Sequence, residues 1–231
     1  MDRSKSDVEL LLDELAPGEK REHVRSVAPS GAEGRFWVVA QNGDTFGSVQ
    51  WVNDDTRPSY LPQFPIIEMA DLPTPILQVD LRESALGDFY RVSPHLYVFR
   101  STIVDCIREL DANAIEFRRA EARGVGKGLE FCLVMIRREI DAIDINKTNL
   151  TLHYKKILPD REIYGKRVYY HPTGFCLRDD IPSNVHCFVE PYGGMLLLSN
   201  ELMARLAATG VRGLHARHPT AGETGVTGMY L

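Results

Sequence analysis

The sequence has no apolar run near the roughly 20 residues that span a bilayer, and its N-terminus, MDRSKSDVELLLDELAPGEK, breaks one short apolar cluster with acids. Neither a membrane helix nor a secretory signal is expected, so the protein is read as cytoplasmic with no membrane partner. Cysteine is scarce: Cys106, Cys132, Cys176 and Cys187 stand far apart among 231 residues. Such spacing argues against a disulfide framework and for reduced, mostly buried thiols. Positive charge is in deficit, with 27 Lys and Arg against 32 Asp and Glu. Phosphate backbones reward clustered cations, so no nucleic-acid partner is expected and a basic protein partner fits better.

The most legible stretch that is present runs from Gly194 to Pro219. Met195 to Leu198 form an apolar run before a Ser-Asn pair; Leu202, Met203 and Leu206 recur at helical spacing, and Gly210 stops the helix. The pattern predicts a strand, a capped helix and a second strand over Val211 to Ala216. Roughly a hundred residues earlier the same grammar recurs. Tyr97 to Phe99 precede a Ser-Thr cap, then come Ile103, Val104 and Ile107, and then Ala114 to Phe117. Leu202 corresponds to Ile103, Leu206 to Ile107 and Leu214 to Ile115.

Ahead of these units, Val8, Leu11, Leu12 and Leu15 put an apolar stripe on a short helix that Pro17-Gly18 ends. RFWVVAQ and SVQWVND flank an Asn-Gly signal and predict two strands joined as a hairpin, with Trp37 and Trp51 as core or cross-strand aromatics. Pro58, Pro62, Pro65, Pro73 and Pro75 exclude a regular helix or central strand. Leu61, Phe64, Ile66, Ile67 and Met69 make the same stretch too apolar for a free linker, so an extended tether is expected. Ile76 to Leu81 reads as a strand and Leu86 to Val92 as a connection. LEFCLVMI, after the RGVGKG turn, reads as a buried central strand. A short helical turn follows it and Thr148 to Ile157 resumes strand alternation, so these two strands are expected to pair. Short strands are expected at Arg167 to Tyr170, Phe175 to Leu177 and Val185 to Val189. The whole predicts an α+β fold: a mixed, mainly antiparallel sheet with a few short capped helices, including two similar strand-helix-strand units. The expected organisation is residues 1–75 as helix, hairpin and tether, 76–219 as the α+β domain, and 220–231 as a loose tail whose Val226, Met229 and Tyr230 could dock an edge strand.

Chemistry-bearing residues are densest between Tyr169 and Cys187, where His171, Cys176, Asp179, Asp180, His186 and Cys187 fall together. Zinc sites pair their ligands two to four residues apart. Here the spacings are five or one, and adjacent strand residues face opposite ways. His215 and His218 read as surface imidazoles. Cys106 and Cys132 fall in apolar settings, which leaves Cys176 and Cys187 as the thiols to weigh as nucleophiles. Asp141 and Asp144 could pair as carboxylates, but capping a turn or meeting Arg137 and Arg138 explains them as well. RGVGKG lacks the Gly-Lys-Ser/Thr ending of a phosphate loop and leads into a strand, so it reads as a hairpin turn. Arg118, Arg119, Arg123 and Lys127 form a basic patch that Glu116 and Glu121 dilute. No catalytic, cofactor or metal residue is assigned.

Four segments carry a family resemblance: SPHLYVFRSTIVDCIRELDANAIEFRRA, IDAIDINKT, HPTGFCLRDDIP and CFVEPYGGMLLLSNELMARLAATGVRGLHARHP. Between Pro75 and Pro219 they resemble, in order, the Imm eleven type immunity proteins of bacterial polymorphic toxin systems, once catalogued as a domain of unknown function. The resemblance implies a cytoplasmic protein that binds and neutralises a cognate toxin. It carries over no catalytic residues, and the toxin-contact residues stay unassigned. The alternatives are a small metal- or Cys/His-dependent enzyme built on residues 171–187, or a regulatory binding module outside toxin immunity.

Overall fold

The two strand-helix-strand units form, and they form with the same connections. In the computed structural model, β6 (Leu96–Arg100), α2 (Ser101–Asp111) and β7 (Ile115–Gly124) make the first; β12 (Met195–Ser199), α3 (Asn200–Ala208) and β13 (Leu214–Arg217) make the second. The structure describes residues 7–16, 18–28, 34–41, 49–51, 69, 74–79, 86–124, 127–154, 167–170, 174–220 and 228–230. The tether prolines Pro58, Pro62, Pro65 and Pro73 and the apolar Leu61, Phe64, Ile66 and Ile67 lie outside the described residues. So do His171 and the Trp51 side chain.

In each unit the two strands flank a third that runs antiparallel to both. For the first unit that strand is β8 (Phe131–Ile136), where Val134 stands between Tyr97 and Phe117. For the second it is β2 (Phe36–Gln41), where Val39 stands between Leu196 and Ala216. A preceding hairpin strand completes each set. β5 (Phe89–Arg91) pairs with β6, and β11 (Cys187–Glu190) pairs with β12. The Leu86 to Val92 stretch, expected as a connection, thus contains a strand, because Phe89 is needed opposite Phe99.

The outer strands differ between the two sheets. β4 (Ile76–Val79) lies parallel to β7 and carries β3 (Val49–Trp51) on its far edge, giving a six-stranded sheet. β14 (Gly228–Tyr230) docks antiparallel on β13 and completes a five-stranded sheet. The smaller third sheet joins β1 (Lys20–His23), β9 (Leu150–Tyr154) and β10 (Arg167–Tyr170). The fold is therefore α+β with mixed, mainly antiparallel sheets and short helices.

β8, β11 and most of β6 and β12 are buried on both faces, which explains why these strands read as nearly unbroken apolar runs. All six residues of β8 and all four of β11 are buried. One core is shared by the inner faces of the two sheets and by both helices, through Tyr97, Phe99, Ile107, Val134, Leu198 and Leu206. Behind the six-stranded sheet, Leu77, Tyr90, Val98 and Leu133 gather around Met69, whose N–H donates to Glu116 Oε1 at 2.6 Å. Behind the five-stranded sheet, Val38 meets Leu150 and Leu152 of β9 together with Val8, Leu12 and Leu15 from α1 (Asp7–Asp13) and its exit. Each fully buried Leu, Val or Phe contributes on the order of 1.5–3 kcal/mol against exposure.

Three local expectations need correction. RFWVVAQ and SVQWVND do not form a hairpin: both edges of β2 are taken by β12 and β13, and β3 joins the other sheet. β8 and the Thr148 to Ile157 strand are likewise not partners, because β6 and β7 occupy the edges of β8 while β9 pairs with β1 and β10. The Ser-Thr pair does not cap α2; its cap position is Arg100, with no side-chain bond, and Ser101 turns instead to Glu130. At α3 the expectation holds, since Ser199 Oγ accepts from the Leu202 N–H at 3.2 Å. Gly210 closes that helix at φ +71°, with Gly210 N–H bonded to Ala207 O and Val211 N–H to Leu206 O. This is the double bond of a Schellman stop, and buried Val211 and Leu206 supply its apolar contact.

Candidate functional site

The residues singled out between Cys176 and Cys187 are spread over three environments. Cys187 sits opposite Leu198 in the shared core, with no exposure, and burial pushes its thiol far above the usual range. Its neighbour His186 faces the other way. The His186 backbone N–H donates to Asp111 Oδ2 at 2.9 Å, and ring Nδ1 meets Ser199 Oγ at 2.9 Å. Cys176 is buried, its N–H donating to Thr148 Oγ1 at 3.0 Å, and burial raises its thiol as well. Asp179 and Asp180 are exposed and meet Lys147 and Arg178. Phe175 to Leu177 forms no strand, only a single bridge from Leu177 to Ile143. Among the described residues no three His, Cys, Asp or Glu side chains gather as a metal would require.

Ser199, His186 and Glu201 stand close together as a Ser/His/acid set without the geometry of a triad. Ser199 Oγ at 2.9 Å and Glu201 Oε2 at 4.0 Å both approach Nδ1 of His186. A triad needs nucleophile and acid on opposite ring nitrogens. Ser199 is also buried and already accepts the first free N–H of α3, so its oxygen is held as a helix cap.

A surface cleft of about 250 Å³ opens beside this segment. Phe36, Phe175, Cys176, Ile181 and Pro219 are its buried lining, and Arg35, Lys147, Arg178 and Asp179 stand around it. Each cation is engaged: Arg35 donates to Ile181 O at 3.0 Å and Pro182 O at 2.7 Å, and Lys147 meets Asp144 at 3.2 Å and Asp179 at 3.3 Å. Next to the lining residue Phe175, Gly174 takes φ +86°, and a Cβ there would fall 2.5 Å from the O of Thr220, another lining residue.

The remaining sequence candidates are held by local structure. Asp144 caps its own turn, accepting from the Asn146 N–H at 3.0 Å. Arg137 and Arg138, expected near Asp141 and Asp144, pair with Glu116 and Asp111 instead. His218 stacks on Trp37 with ring centroids 3.9 Å apart, and half-buried His215 stands opposite Ala40 and Tyr230. In the basic patch Arg118 reaches Met69 O, and Arg123 pairs with Glu121 at 2.9 Å. β7, which ends at the first Gly of RGVGKG, pairs antiparallel with β8 beyond it.

Three carboxylates organise the fold beyond the roles the sequence assigns them: buried Asp111 and Glu190, and half-buried Glu116, which in sequence only dilutes the basic patch. Glu190, fully buried, accepts from the Tyr192 and Gly193 N–H groups at 3.2 and 2.7 Å and so holds the turn between β11 and β12. The signal was present, an acid directly before Pro-Tyr-Gly-Gly.

All four thiols are buried, and burial holds Cys132 protonated up to about 11. Thiolate is the reactive form. With Ellman's reagent at about pH 8, native protein is expected to release almost no chromophore, and denatured protein four equivalents per chain. A thiol titrating fast in the native state would contradict this enclosure.

No curated protein matches the chain. The model of a family described as an immunity protein family, Imm11, matches residues 40–219. That span runs from within β2 to just past β13, taking in both strand-helix-strand units and the cleft-forming segment. On this match across most of its length, with both repeated units inside it, the chain belongs to the Imm11 immunity protein family.

Proposed function

We propose that the protein binds a cognate bacterial toxin in the cytoplasm and neutralises it by covering the toxin's active cleft. Family membership over residues 40–219 carries this reading. The site chemistry agrees with binding rather than turnover: the thiols are enclosed, and Asp111, Glu116 and Glu190 are committed to bonds within the fold. A surplus of five carboxylates over Lys and Arg favours a basic partner, whose encounter it would speed by electrostatic steering. The toxin domain encoded beside this chain is expected to co-purify with it one to one, and co-expression is expected to rescue growth of cells making the toxin. A toxin that stays fully active in the presence of excess purified protein would refute the proposal.

A further inference from the structure

The walls of the cleft beside Phe175 are fixed by hydrogen bonds from several parts of the chain. The Phe175 N–H donates to Pro219 O at 2.9 Å, the Asp144 N–H to Cys176 O at 2.9 Å and the Arg178 N–H to Ala142 O at 2.8 Å. On the other side the Asn200 N–H donates to Arg35 O at 2.9 Å, and the next residue, Phe36, sets its ring edge-on to Phe188 with centroids 5.1 Å apart. The hollow is therefore preformed. Its volume of about 250 Å³ is room for about eight waters. Pockets that enclose a cofactor or a drug-sized molecule begin near about 300 Å³, so this one is the size for a single large side chain and its immediate neighbours.

The charges at its mouth are not evenly matched. Lys147 meets Asp144 and Asp179, and Arg178 meets Asp180, so these two cations have carboxylate partners. Arg35 has none among the described residues. Its Nη1 and Nη2 donate to the carbonyls of Ile181 and Pro182, and its guanidinium lies over the Phe36 ring, 4.4 Å from the centroid. Neutral carbonyls hold the group in place without cancelling its charge. Those two bonds also leave three of the five guanidinium N–H groups for a further acceptor. An aromatic and aliphatic floor thus stands beside an immobilised cation with donors to spare.

We propose that this cleft seats one apolar side chain of the toxin, while a carboxylate on a neighbouring residue of the same toxin segment pairs with Arg35. The inference rests on the neutralisation reading above and gives it a point of contact. Phe36, Phe175 and Ile181 supply the desolvated surface that a buried anchor needs, and the guanidinium supplies a charge-assisted partner for the acid. Because the walls and the cation are already fixed, binding orders little of this protein, and less of the contact energy is lost to entropy. A toxin of net positive charge needs only one such acid, placed where it meets the cleft.

The test uses the full chain, first with 3-phenylpropionate as a probe that joins a ring to a carboxylate, and with 3-phenylpropanol as its uncharged counterpart. Amide NMR shifts are expected at Arg35, Phe36, Cys176 and Arg178, saturating at millimolar probe, with the alcohol at least about fivefold weaker. Arg35→Gln should erase that difference. Against the toxin domain encoded beside this chain, calorimetry is expected to show affinity reduced about 30-fold by Arg35→Gln and about 100-fold by Ile181→Trp, which fills the cleft, and saturating probe should compete with the toxin. Arg35→Gln, with its thermal midpoint nearly unchanged, carries the test should Ile181→Trp lose its fold. Probe shifts that fall elsewhere or are absent, or toxin affinity unchanged in the folded variants, would overturn the cleft contact while leaving neutralisation standing. A probe that seats in the cleft of a protein that binds no toxin would overturn neutralisation and, with it, the occupant proposed. Sedimentation of the free protein as a dimer that Ile181→Trp dissolves would assign the cleft to a second copy and refute the proposal.

Discussion

Asp111→Ala is expected to destabilise the protein by about 3–4 kcal/mol in urea unfolding, the cost of stranding a partly buried cation and a backbone donor together. The Asp111 side chain is only 4 % exposed. It is the last residue of α2, the end where the helix dipole disfavours a negative charge. Tertiary partners therefore hold it there. Its Oδ2 accepts from Arg138, just past β8, and from the His186 N–H, just before β11. One carboxylate ties the helix of the first unit to the exit of one sheet and the entry of the other. Asp111→Asn keeps an acceptor and is expected to lose about half as much. Asp111→Leu with Arg138→Met removes donor and acceptor charges together, and should cost less than Asp111→Ala alone. A loss under about 1 kcal/mol for the alanine variant would mean that water replaces the carboxylate without penalty, and the junction would be incidental.

Asp111 lies in the body that the family match covers, and its carboxylate is committed to partners within the fold. Lower stability in Asp111 variants should reduce the amount of folded protein at a given temperature without changing the affinity of molecules that remain folded.

Whatever depended on local periodicity was legible in the sequence. The α3 helix and its two ends could be read nearly to the residue, because Ser199, the Leu202–Leu206 stripe and Gly210 each do their work within a few positions of themselves; the strand after it starts at Leu214 rather than Val211. LEFCLVMI announced a strand buried on both faces for the same reason. Partner choice was not legible. β2 pairs with β12 and β13 from more than 150 residues away, and no alternation within FWVVAQ records which strands will flank it. The Asn-Gly signal after it suggested a hairpin, but the edges of β2 are taken by β12 and β13, which bring buried Leu196, Leu197, Leu198, Leu214 and Ala216 alongside it. Surface exposure was less visible still. Leu10, Val24 and Val27 look like ordinary core residues in one dimension, and only the register of α1 and the hydrogen bonds of residues 25–27 to Asn146 and Asn149 turn them outward.

Ile107→Ala and Leu206→Ala are expected to cost about 3 kcal/mol each, as large-to-small changes at fully buried positions. The two residues occupy corresponding places, seven positions into the helical segments of units that share one plan of strand pairing. Both have no exposure, and both belong to the core that α2 and α3 share with the two sheets. If each unit packed on its own sheet and merely abutted the other, the two cavities would form in separate cores and the losses would add within a few tenths of a kcal/mol. A single shared core behaves differently. The first cavity lets the facing helix settle, so the second deletion meets a partly relaxed wall, and the double variant should depart from additivity by at least about 0.5 kcal/mol. Equal single losses with that coupling, measured by chemical denaturation, would establish that the repeated units are energetically one body; strict additivity would divide them at the helix-helix contact.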